Sequence, residues 1–116
     1  MRHAQWWKPL VLVAGLLGCG SGPQLAASRT AAPEAVLRAA RQAGAGSVPQ
    51  AAYHAELARK HIALARQLLA DGRPDLAELT LMRAQADADL ALVLAREAAV
   101  KEAAEQATGE AQELRE

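Results

Sequence analysis

His54, His61 and Asp87 are the polar side chains whose types and spacing come nearest to a chemical site in this chain of 116 residues. The two histidines stand seven apart, hence on one face of a helix, and an antiparallel partner helix turning at Gly72 brings Asp87 level with that face. Two imidazoles and a carboxylate are a zinc ligand set with one open position. Two turns of helix, however, hold the histidines about 10 Å apart, too far for both to reach one ion. Hydrogen bonding suits the trio better, with His61 inside an apolar stripe and Asp87 engaging Arg83 or a histidine. Beyond these three there is no Gly-rich phosphate loop, no His-Glu-x-x-His pair and no nucleophile elbow. Nucleophile, base and electrophilic stabiliser do not converge, so the sequence predicts no catalytic residue, no metal ligand and no cofactor.

Cys19, the only cysteine, has a different chemistry. It closes a leader in which Arg2, His3 and Lys8 precede an apolar run from Leu10 to Leu17, the order of a signal peptide. That run falls far short of the ~20 apolar residues a spanning helix needs. An unpaired thiol in an exported chain is a liability that covalent capping removes. Leu16, Leu17, Gly18 and Cys19 resemble, position by position, the lipobox of bacterial lipoproteins. The resemblance implies that residues 1–18 are cleaved, that the Cys19 thiol takes a diacylglyceryl group, and that the new amino group is acylated with a fatty acid such as palmitate. Several acyl chains exceed the two signals that stable anchoring requires. Gly20, not being aspartate, implies by the usual sorting pattern an outer-membrane protein facing the periplasm, in place of the inner membrane or the cell surface.

Composition bounds the remainder. Lysine plus arginine and aspartate plus glutamate each number 13, and loss of Arg2 and Lys8 with the leader leaves 11 basic residues and a net charge of −2. No basic patch marks a nucleic-acid partner. Trp6 and Trp7 depart with the leader, which leaves one tyrosine and no phenylalanine for an aromatic core. Alanine fills about a quarter of the chain, with Leu, Glu, Gln and Arg beside it. That is a helix-forming composition, and the fold class it predicts is all-α without strands.

Punctuation sets the expected elements. Residues 19–32 carry the lipidated cysteine and a Gly-, Pro-, Ser- and Thr-containing stretch that reads as a flexible tether. Pro33 and Glu34 suit the first turn of a short helix ending near Ala43, before Gly44. Ser47-Val48-Pro49-Gln50 offers a capping box for a second helix over about 48–70. Gly72 ends it in a left-handed conformation, and Pro74 begins a third helix over about 74–107. The helical domain thus spans 33–108, with an acidic tail at 109–116. So short a turn at Gly72 makes helices two and three an antiparallel hairpin.

Spacing also predicts how that hairpin packs. Ala55, Ala58, Ile62, Ala65 and Leu69 recur at intervals of three and four, and Ala77, Leu81, Ala84, Ala88, Ala91 and Ala95 do the same on helix three. These are coiled-coil-like seams filled mostly with methyl groups, along which backbones approach closely. A second stripe of Leu57, Leu64 and Leu68, with Leu90 and Leu94, is left for Val36, Leu37 and Ala40 of helix one to cover. The register places Arg66 beside Glu78 and Arg59 beside Gln85. Helix three outruns helix two, so Val100, Ala103, Ala104 and Ala107 are expected to be solvated or to meet another chain.

The residues Leu57-Ala58-Arg59, Leu64-Ala65, Gly72, Leu76-Ala77 and Asp87-Ala88-Asp89-Leu90-Ala91 resemble the pattern of domain-of-unknown-function family 4398, small alanine-rich bacterial lipoproteins. The likeness spans Ala51 to Ala107 and implies a helical envelope lipoprotein. Some of that family carry a downstream peptidoglycan-binding domain, to which nothing here corresponds, so wall binding is not implied. Gly72 to Ala77 also resembles the junction inside a tetratricopeptide unit, but no 34-residue period recurs. The expectation from sequence is a non-catalytic, membrane-anchored module that serves a protein partner structurally or as an adaptor, with self-association through distal helix three as one form of partnership. The alternative is a periplasmic ligand or metal binder using the His61 face.

Overall fold

Residues 21–116 are described by a computed structural model, with side chains from Leu25 onward. The expected leader, the lipobox and Cys19 lie outside the described residues. Three α-helices follow in order: α1 Ser21–Gln42, α2 Pro49–Ala70 and α3 Pro74–Glu113, with a single 3-10 turn, Ala45–Ser47, between the first two. The protein is all-α, and α2 and α3 form the antiparallel hairpin. None of the helices among the described residues is long and apolar enough to cross a membrane.

The turn chemistry explains the hairpin. Gly72 adopts φ +71°, the left-handed region that costs an L side chain energy and glycine nothing. Arg73 N–H donates to the Leu68 carbonyl at 2.9 Å and Gly72 N–H to that of Leu69 at 3.2 Å, the paired bonds of a Schellman cap. Pro74 then begins α3, where its missing N–H costs no helical bond. Gly44, at φ +93°, ends α1 in the same left-handed way.

Three boundaries differ from the sequence expectation. The first helix begins at Ser21, so residues 21–32 are helix where a tether was expected, and Pro33 lies inside it. An interior proline forfeits a hydrogen bond and costs ~3 kcal/mol. Burial offsets that cost, because Thr30, Pro33, Leu37 and Ala40 form a continuous buried stripe at intervals of three and four. The capping box does not form: Ser47 belongs to the 3-10 turn, Val48 caps α2 without a side-chain bond, and Pro49 is the first helical residue. Gly109 does not stop α3, which continues through the expected acidic tail to Glu113. Glycine in a helix interior costs only ~1 kcal/mol, and the flanking Ala, Glu and Gln are strong helix formers.

The core lies where the three helices meet. Leu37 of α1 packs with Ala58 and Ile62 of α2 and with Ala84 and Ala88 of α3. A turn further along, Ala40, Ala45, Ala51, Ala91 and Ala95 cluster. Helix α1 therefore rests on the alanine seam and not on the Leu57, Leu64, Leu68 stripe expected for it. Two helices faced mainly with alanine leave a groove between them, and the Leu37 side chain, 4% exposed, fills it. The leucine stripe is consequently left at the edge of the bundle, Leu64 at 46% exposure and Leu90 at 41%, with Leu57, Leu68 and Leu94 half-buried.

Candidate functional site

The alanine seam brings the polar trio together. His54 and His61 lie on α2 beside the seam, on the flank away from α1, and Asp87 reaches them from α3. His54 Nδ1 is 2.9 Å from Asp87 Oδ1, and His61 Nδ1 is 3.1 Å from Asp87 Oδ2. A carboxylate only accepts, so each ring donates its Nδ1–H to Asp87 and turns Nε2 away from it. Side-chain exposures of 25%, 27% and 17% for His54, His61 and Asp87 put the cluster at the half-buried edge of the helix interface. The Tyr53 ring meets His54 edge-on at a centroid distance of 5.2 Å.

Of the two partners expected for Asp87, the geometry selects histidine, and it does so twice. His61 is not under α1, and Asp87 binds both histidines, not Arg83. One carboxylate occupies the space between the rings, and among the described residues no three His, Cys, Asp or Glu side chains are arranged to hold a metal ion. What the cluster does is cross-link the helices: two turns of α2 are pinned to one residue of α3. Beside it, an open cleft of about 500 Å³ is lined by Pro49, Gln50, Tyr53, His54, Leu90 and Leu94. The buried hydroxyls are occupied by their own helices, Thr80 donating to the Leu76 carbonyl at 2.7 Å and Thr30 to that of Ala27 at 3.4 Å.

Of the expected seam residues, Ala58, Ile62, Ala65, Ala77, Ala84, Ala88, Ala91 and Ala95 are buried, while Ala55, Leu69 and Leu81 are half-buried. Ala51 and Thr80 are buried as well and were not expected. Ala51 lies one helical step before Ala55. Thr80 falls at the three-and-four spacing between Ala77 and Ala84, one residue before the Leu81 expected there.

The charged register also differs. Arg66 hydrogen-bonds Glu34 of α1. Arg66 lines the groove between α1 and α2, whereas Glu78 lines the groove between α1 and α3. Helix α1 thus sits between the two residues expected to pair. Arg59 binds Glu56 on its own helix at 2.6 Å, and Gln85 donates to Asp89 at 3.0 Å, so these two do not meet either. On distal α3, Glu97 and Lys101 pair at 2.8 Å. The Lys101 hydrogen bond and charge lower the Glu97 carboxyl below 4.5, and the same contact raises Lys101 above 10.5.

No protein family, curated protein or solved structure matches the chain.

Proposed function

We propose that the protein is a non-catalytic bacterial envelope lipoprotein, anchored in the outer membrane through Cys19 and facing the periplasm, whose three-helix unit acts as a structural or adaptor module for a protein partner. The lipobox-like Leu16-Leu17-Gly18-Cys19 supports the anchor, and the resemblance to family 4398 agrees with it. The observation that carries the module is the allotment of side chains. Among the described residues, ten of the twelve buried apolar residues are alanine, while Tyr53, Leu64, Leu76, Leu79, Leu90 and Val93 are exposed. A chain folded only for its own stability buries its large apolar side chains, at ~1.5–3 kcal/mol each. This one spends methyl groups inside and presents leucines outside, which suits a surface that other chains cover.

The second reading, a periplasmic ligand or metal binder, rests on the Asp87-braced histidines with their unspent Nε2 atoms and the cleft beside His54. Zinc titration followed by calorimetry separates the two. Uptake with micromolar affinity that is lost in His61→Ala favours the binder, and absence of heat favours the module. For the anchor, growth with an alkyne fatty acid labels the wild-type protein and leaves Cys19→Ser unlabelled and uncut, or released from the membrane fraction. Equal labelling of both proteins overturns it.

A further inference from the structure

Beyond Ala98, which is half-buried, α3 runs clear of the other described helices. Ala51, at the start of α2, is level with Ala91 and Ala95, and every residue from Ala99 to Glu116 is exposed. The stretch from Glu97 to Glu113 is therefore a rod about 25 Å long. The three-and-four repeat of the seam runs on into it, but its residues change. After Ala84, Ala88, Ala91 and Ala95, the same face carries Ala98, Glu102, Glu105, Gly109 and Glu113. The side of α3 that packs as methyl groups within the bundle becomes small and acidic where the bundle ends.

The complementary surface is on the same chain. Two adjoining clefts of about 330 and 310 Å³ share Arg41 and Arg59 and form one groove along α1 and α2. Along α2 it runs from Ala52 to Arg66, about 21 Å at helical rise. Leu37, Ile62 and Ala55 floor it, and Arg38, Arg41, Arg59 and Arg66 rim it. Glu56 engages Arg59 and Glu34 engages Arg66. Arg38 and Arg41, three residues apart, have no carboxylate partner among the described side chains. Glu102 and Glu105 on the rod repeat that three-residue spacing and are likewise in no ion pair there.

From this match of length, spacing and charge we infer that the occupant of the α1–α2 groove is the distal α3 of a second copy of the chain, Glu102 and Glu105 facing Arg38 and Arg41. Ala98 and Gly109 allow the rod to approach the groove floor, where a bulky face would stand off. A single rod-in-groove contact leaves one copy with a free groove and the other with a free rod, so assembly closes as a reciprocal dimer or propagates into a ring or a filament. A rod-to-rod pairing, by contrast, sets glutamates against glutamates. The inference deepens the proposed docking role by naming the partner, and it rests on that role.

The test is sedimentation velocity of the full-length chain in a mild non-ionic detergent. Wild type should form species larger than one copy at low salt, and its association constant should fall about tenfold or more between ~30 mM and ~500 mM salt, since rim charges are screened. The variants Glu102→Arg/Glu105→Arg and Arg38→Glu/Arg41→Glu, all at exposed positions, should each sediment as single copies. Mixing the two should restore assembly, because each supplies the charge the other now needs. Circular dichroism of each variant checks that the helices persist. A wild type that remains single at low salt, a rod reversal that leaves assembly intact, or a mixture that does not reassemble overturns the inference. Anchoring is read separately: a chain that takes up lipid yet stays single refutes self-docking alone, and loss of lipid labelling with assembly intact refutes the anchor alone.

Discussion

Leu37→Ala tests how the bundle closes. Leu37 is 4% exposed and touches Ala58 and Ile62 on one side and Ala84 and Ala88 on the other. The change deletes three carbons, about 2.4 kcal/mol of transfer at ~0.8 kcal/mol per buried methylene. A cavity term adds to this when the walls cannot collapse. Here the walls are mainly alanines, which have no rotamer with which to fill the space. The expected loss is ~2.5–4 kcal/mol, a large part of the ~5–15 kcal/mol that holds a typical domain folded. At ~4–8 °C per kcal/mol for a unit of this size, melting followed by circular dichroism should fall by at least ~10 °C. Leu64→Ala is the matched control, because Leu64 is 46% exposed on the stripe that α1 leaves uncovered. It should cost under ~1 kcal/mol in the isolated chain. If Leu64→Ala destabilises as much as Leu37→Ala, then α1 covers the leucine stripe and the packing described here is wrong.

Other outcomes follow from the same contacts. Ala88→Leu should overpack the site beside Leu37 and cost ~1–3 kcal/mol, whereas Ala103→Leu on the exposed rod should leave thermal melting unchanged within error. Asp87→Ala should release both imidazoles from the Nδ1-protonated form, visible in long-range nitrogen NMR, and cost ~1–2 kcal/mol, at the low end for charge-assisted bonds because the cluster is half-buried; unchanged ring nitrogens would mean that Asp87 does not hold them. The Glu97 carboxyl is lowered by Lys101, so its support of the distal helix is present above 4.5 and is lost as pH falls through the lowered value. Lys101, raised by the same pair, gives support that is present below 10.5 and is lost as pH rises through its raised value. A carbon-detected titration should find Glu97 below 4.5 in wild type and moved upward in Lys101→Met; identical curves would remove the pairing.

Much of this architecture was legible because alanine periodicity is a local signal. The spacing around Ala58 and Ala84, together with Gly72, specifies a hairpin, since only one face of each helix admits close approach. What could not be read locally was the position of α1. From sequence, a leucine stripe asks to be covered, and Val36 and Leu37 stand ready to cover it. The competing demand, a groove between two methyl-lined helices that only a large side chain fills, exists only once the hairpin has formed. Pro33 misled for a related reason. Its ring favours a helix start in isolation, but burial of Thr30 and Pro33 against the hairpin extends the helix back to Ser21. Arg66 follows α1 as well, since Glu34 arrives with that helix. The polar trio was identified as residues but not as a geometry, because i,i+7 spacing excludes one shared ion without indicating that a single two-oxygen carboxylate spans both rings.

Mass spectrometry of the N-terminal peptide of the protein, taken from membranes of its native host, decides whether Cys19 is the anchor. The expected peptide begins at Cys19, its sulfur carrying a diacylglyceryl group and its amino group a fatty acyl chain, with no trace of residues 1–18. A mature protein that retains Met1, or one that carries Cys19 unmodified, contradicts that anchor.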